Sequence, residues 1–140
     1  MNETRSGRCL CGSVAFEAAI PDLHTEACHC AICRKWSGGP AFSTAVDSLA
    51  LPGDAPVAWY AASDHAERGF CARCGTHLFW RMKDRSYTVI YTGAFDATDD
   101  LPLTGEIYVD EQPGTYAFAN ETRRMTGAEV AAAFGFGDEG

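Results

Sequence analysis

Seven cysteines in three tight groups constrain this chain more than any other feature: Cys9-x-Cys11, Cys28-x-Cys30-x-x-Cys33 and Cys71-x-x-Cys74. An odd count cannot pair completely into disulfides. The residues after Met1-Asn2-Glu3-Thr4-Arg5 offer no apolar core of a secretory signal, which points to a cytoplasmic protein whose thiols stay reduced. Seven small buried hydrophobes would be scattered rather than grouped. Soft thiolates at gaps of one and two residues instead suit Zn²⁺.

Composition narrows the setting of those thiols. With 140 residues, 46% hydrophobic and 21% charged, the chain reads as one soluble globular domain over residues 1–140. No apolar run reaches the roughly 18–20 residues that span a bilayer, so no membrane partner is expected. Eleven Lys plus Arg against 19 Asp plus Glu leave a formal charge of -8, which argues against nucleic acid as a partner.

The pattern is mainly β. Residues 7–18 read as a hairpin with Cys9 and Cys11 at its turn, where Gly12 supplies a positive φ. Short strands are expected at Thr25–Cys28, Phe42–Val46, Val57–Tyr60, Thr76–Arg81, Tyr87–Tyr91 and Ile107–Val109, and a short helical turn at Ala31–Trp36. Thr126-x-x-Glu129 has capping-box spacing and opens a helix over about 126–134, with Val130, Ala131 and Phe134 on its apolar face. The tail from Gly135 is expected to fray.

A structural zinc takes four protein ligands, whereas a catalytic one takes three and keeps a position open. Seven thiolates divide naturally into four plus three. Cys9, Cys11, Cys71 and Cys74 could clamp two hairpin turns some sixty residues apart, leaving Cys28, Cys30 and Cys33 as an open trio. The spacing does not force that division. The trio could also borrow His24, His29, His65 or His77 and close a second structural site, giving a non-catalytic zinc-binding interaction module. Flanked by two ligands, His29 reads better as a supporting residue, and His77 as a packing residue of its strand. A redox role for Cys71-x-x-Cys74 lacks the βαβ context of such motifs. Arg34 and Lys35 put local positive charge after Cys33 that would suit an anionic substrate. Trp36, Phe42, Trp59, Phe79 and Trp80 read as core.

Together, Gly7-x-Cys9-x-Cys11-Gly12-x-Val14-x-Phe16, Cys28-His29-Cys30-x-x-Cys33-Arg34-Lys35 and Phe70-Cys71-x-x-Cys74-Gly75-Thr76 resemble the glutathione-dependent formaldehyde-activating enzyme family, which includes centromere protein V. Gly93-Ala94-Phe95-Asp96, Leu101, Ile107 and Pro113 resemble its later part, so the likeness covers about residues 5–115. The resemblance implies small antiparallel sheets in a zinc-stapled β-tent. It implies two Zn²⁺ per chain, with Cys9, Cys11, Cys71 and Cys74 as structural ligands and Cys28, Cys30 and Cys33 as catalytic ones. The implied activity is that of a carbon–sulfur lyase, joining a small thiol such as glutathione to formaldehyde as S-hydroxymethylglutathione. The acidic stretch from Asp96 to Glu111 would repel glutathione unless it points away. Gly114 stands where the family often has an aromatic residue, with Tyr116 nearby.

Overall fold

The structure, a computed structural model, describes residues 3–135. The chain order is β1 (Glu3–Arg8), β2 (Ala15–Ile20), β3 (Thr25–Cys28), α1 (Ala31–Ser37), β4 (Ala41–Val46), β5 (Ser48–Ala50), β6 (Val57–Tyr60), β7 (Ala66–Cys71), β8 (His77–Met82), β9 (Thr88–Tyr91), β10 (Leu103–Ile107), β11 (Arg123–Met125) and α2 (Gly127–Phe134). They form two sheets, a three-stranded one ordered β1-β2-β5 and an eight-stranded one ordered β11-β10-β3-β4-β9-β8-β7-β6. Pairing is antiparallel throughout except at β10, which runs parallel to both β3 and β11. A parallel pair needs a long connection. Here the whole central part of the chain separates β3 from β10, which returns beside Cys28.

Period-two alternation in β4, β8 and β9 sorts side chains between the two faces of the large sheet. Val46, Phe79 and Ile90 join Phe16, Ile20 and Leu78 in a core between the sheets. Phe16 meets both Phe79 and Phe95 edge-on at 5.6 Å, a favourable aromatic geometry. Ala41, Ser43, Trp80, Val89 and Tyr91 face the other way, into a pocket whose further wall comes from α2.

The mainly β architecture with a short C-terminal helix is as expected. The hairpin forms, with Cys9 and Cys11 in its loop and Gly12 at φ 80°. Thr126 opens α2 with a complete capping box. Gly135 caps its end, and the expected fraying from residue 136 onward lies outside the described residues. Phe134 is 47% exposed, so Val130 anchors the helix. The strand expected at Ile107–Val109 lies earlier, over β10, because Tyr108 is buried in the left-handed region at φ 56° and turns the chain into a 3-10 turn at Val109–Glu111. Among the described residues no helix is long and apolar enough to cross a membrane.

Candidate functional site

The cysteines collect into two groups, Cys9/Cys11/Cys71/Cys74 and Cys28/Cys30/Cys33, with ligand atoms within 4.8 Å of one another in each. All seven are free thiols. Among the described residues no imidazole or carboxylate joins either group.

The four-sulfur group lies where the loop between β1 and β2 meets the turn between β7 and β8, so it ties the small sheet to the large one. A tetrahedral zinc–thiolate site with bonds of about 2.3 Å has sulfur–sulfur edges of about 3.8 Å. Cys9 and Cys11 Sγ stand 3.6 Å apart, and Cys11 and Cys71 Sγ 3.8 Å. The surrounding backbone is arranged to hold thiolates. Val14 N–H donates to Cys9 Sγ at 3.2 Å, and the Arg73 and Cys74 amides donate to Cys71 Sγ at 3.4 Å. The Thr76 hydroxyl, 3.1 Å from Cys74 Sγ, helps draw that thiol down to about 5. The same hydroxyl accepts from Leu10 N–H at 3.0 Å and so couples the two turns. Gly75 at φ 81° gives the second turn its left-handed residue. These residues fit a metal ion.

The three-sulfur group forms where β3 runs into α1. Cys28 ends the strand, and Cys30 caps the helix, its Sγ accepting from Cys33 N–H at 3.3 Å. All three cysteines are buried. Neighbouring thiols and burial push the Cys28 thiol well up. Hydrogen bonds from Cys28 and Cys30, with Arg68 nearby, hold Cys33 well below its ordinary value.

Arg68 is the residue that sequence reasoning missed. It is fully buried in β7, and its Nη1 donates to Cys33 Sγ at 3.5 Å and to the Tyr91 hydroxyl at 3.0 Å. The local cation is therefore Arg68, not Arg34 or Lys35. Arg34 donates to the His29 carbonyl at 2.9 Å, and Lys35 is exposed. In sequence, Arg68 lies between the cysteine groups and belongs to no motif. Its place follows from the fold, since Arg68 pairs with Trp80 in the β7–β8 ladder and shares its face.

His29 has both ring nitrogens engaged. Glu106, buried at 2% exposure, would be pushed up by burial, but hydrogen bonds from Thr122, His29 and Arg124 together hold its carboxyl below the ordinary value. With Glu106 a carboxylate, His29 Nε2–H donates to it at 2.8 Å and Nδ1 accepts from the Tyr116 hydroxyl at 2.7 Å. The ring thus supports the backbone between Cys28 and Cys30 and has no nitrogen left for a metal ion. His77 packs on Trp36 at 4.7 Å.

Removing the Glu106 carboxylate leaves His29 and Thr122 without their acceptor in a buried place. Glu106→Ala is expected to lower stability by about 3 kcal/mol, read from urea unfolding. Because its folded pKa lies below the unfolded one, the carboxylate stabilises the fold at pH above the unfolded value. That share disappears as pH falls through the lower folded value. Elsewhere in the acidic stretch Asp100 pairs with Arg5 at 2.6 Å and Asp96 with Arg8 at 3.4 Å, away from the thiols, whereas Glu111 accepts from Ala31 N–H beside Cys30 at 2.8 Å.

Cys28 and Cys33 also line a pocket on the outer face of the large sheet. Trp80 belongs to its wall rather than to the core between the sheets. Phe42, also expected in the core, is 40% exposed and meets Phe118 at 5.6 Å. Phe79 and Trp59 pack in the core as expected.

The family model of glutathione-dependent formaldehyde-activating enzymes matches residues 4–111. The chain belongs to this family. A Schizosaccharomyces pombe protein bearing the name uncharacterized lyase is 32% identical over 127 residues, 89% of this chain and 92% of its own length. A crystal structure of a Rhodobacter sphaeroides protein superposes with a TM-score of 0.55 at 20% identity, covering 71% of this chain and 99% of that one, and bears on the fold alone. In this formaldehyde-activating family member, the matched segment holds all seven cysteines and Arg68, His29 and Glu106, but stops before α2.

Proposed function

We propose that the protein is a zinc-dependent carbon–sulfur lyase that makes and breaks adducts between a small thiol, such as glutathione, and an aldehyde. One observation carries this reading: a buried trio of cysteine sulfurs, without a fourth protein ligand among the described residues, borders an open pocket. Family membership and the lyase-named relative support it. In this reading Cys28, Cys30 and Cys33 hold the catalytic ion and Cys9, Cys11, Cys71 and Cys74 a structural one. Zinc, when bound, supplies a Lewis acid that keeps a thiol deprotonated and gathers thiol and carbonyl in one place.

The chain's own residues do the rest. Arg68 keeps a fixed positive charge against the sulfurs, inside a site where burial strengthens it. Tyr91 lines the pocket and accepts from Arg68, so its own O–H is left to donate toward a carbonyl oxygen. Burial pushes its phenol up, which keeps that proton in place at neutral pH. His29, held between Glu106 and Tyr116, fixes the segment from which Cys28 and Cys30 project. The trio lies in a compartment with reduced thiols if the protein is cytoplasmic, as this chemistry requires.

The test is the exchange of glutathione with formaldehyde followed by NMR, with the protein and with Cys30→Ser. Equal rates for both, each matching the uncatalysed reaction, would remove this activity. Tyr91→Phe keeps the ring and loses the donor, so the catalysed exchange rate is expected to fall about 100-fold with the fold intact by circular dichroism.

A further inference from the structure

The pocket beside Cys28 and Cys33 is built for something other than the smallest aldehyde or a charged tripeptide. Its walls are Trp80, Tyr87, Val89, Ile107, Val130 and Phe134, contributed by β8, β9, β10, α2 and the residue before β9. Among the described lining residues there is no Lys or Arg, and away from the cysteine sulfurs the acidic side chain is Glu26. The hollow adjoining its mouth, which shares Glu26, Tyr87 and Phe134, does not reverse this. It sets Asp22, Glu26 and Asp47 against Arg85 and Arg123, and Arg123 is already bonded to Glu26 at 3.1 Å.

Glutathione carries a net negative charge, and burying an unpaired carboxylate against these walls would cost far more than the contacts return. Formaldehyde would leave the aromatic and aliphatic surface idle. A pocket lined mostly by apolar side chains, with a few polar groups at one end, matches a ligand with an uncharged hydrophobic body and one reacting atom.

We infer that the adduct handled at this site carries an uncharged apolar substituent, lodged between Trp80, Val89 and Val130. The inference rests on the lyase reading and names its substrate class. The substituent enters on either the aldehyde or the thiol. In both cases the reaction is the same. The thiol sulfur bonds to the carbonyl carbon, the C=O π pair moves to oxygen, and oxygen takes the proton that the thiol gave up. No oxidant or reductant is needed.

Three pairs separate the possibilities: glutathione with formaldehyde, glutathione with phenylacetaldehyde, and benzyl thiol with formaldehyde. Each exchange rate is measured by NMR on the metal-loaded protein and divided by its uncatalysed rate. At least one apolar pair is expected to be accelerated about tenfold or more beyond the first, since even one methylene in such a pocket is worth about tenfold. Which pair gains identifies the partner that bears the substituent. A separate readout uses benzyl alcohol, which has neither thiol nor carbonyl. It is expected to shift the amide signals of Val89 and Ile107, and Ser43→Phe, which fills the pocket from β4, is expected to abolish those shifts. Largest acceleration for glutathione with formaldehyde overturns the inference and leaves the lyase reading standing. Acceleration of none of the pairs overturns both. Apolar pairs that gain without shifts at Val89 and Ile107 overturn the placement in this pocket.

Discussion

Cys74→Ser is expected to unfold or aggregate the protein. The four-sulfur group joins the β1–β2 loop to the β7–β8 turn, and with them the two sheets. A structural Zn²⁺ contributes about 10–16 kcal/mol of apparent binding energy in small zinc domains, and that energy is folding energy. A whole domain is stable by only about 5–15 kcal/mol. Losing a zinc held there would therefore remove a share comparable to the entire margin. A serine hydroxyl is a poor ligand, and it does not restore the sulfur that Thr76 holds at 3.1 Å. Phe16, Phe79 and Phe95 pack beneath the clamp and would remain, but a core shared between sheets of three and eight strands has little else to close its end. Circular dichroism and thermal melting check this directly. A cooperative melt near the wild-type temperature with half the metal content would show that the clamp contributes little.

Cys30→Ser should behave in the opposite way. It is expected to fold, to carry one zinc in place of two by elemental analysis, and to accelerate no thiol–aldehyde exchange. The reason lies in the second task of this side chain. Cys30 Sγ caps α1 by accepting from Cys33 N–H at 3.3 Å, and a serine hydroxyl is a better helix cap than a thiol. The substitution thus keeps the local backbone while removing a sulfur from the trio. Around it, α1 stays anchored by Glu111, whose carboxylate accepts from Ala31 N–H at 2.8 Å. If Cys30→Ser and Cys74→Ser match in melting and in metal content, the division into four and three is wrong.

The sulfur clusters were legible because metal-ligand spacing is written locally. A gap of one or two residues at a turn brings two sulfurs together whatever the rest of the chain does, and the same holds for the Thr126 capping box. What escaped were features made by distant partners. β11, Arg123-Arg124-Met125, and β5, Ser48-Leu49-Ala50, have no alternation long enough to register, and they are strands only because β10 and β2 offer them ladders. Arg68 is a charged residue in an ordinary context until β8 and β9 close over it with Trp80 and Tyr91. Glu106 looked like one more acid in an acidic stretch, yet it alone among Asp96, Asp99, Asp100, Glu106, Asp110 and Glu111 is fully buried, because β10 lies beside β3 and brings it to His29. The walls of the pocket are likewise hidden, since Trp80 reads as core in sequence while its neighbour Phe79 takes that place.

The family match ends at residue 111, whereas the pocket wall includes Val130 and Phe134 from α2. In the proposed reading, one part of the pocket wall thus comes from a stretch of chain separate from the sulfurs. Exchanging residues 127–134 for a helix of different bulk would retune which molecules are accepted without touching a single sulfur, so this helix is the place to begin if the enzyme is to be redirected to new aldehydes or thiols.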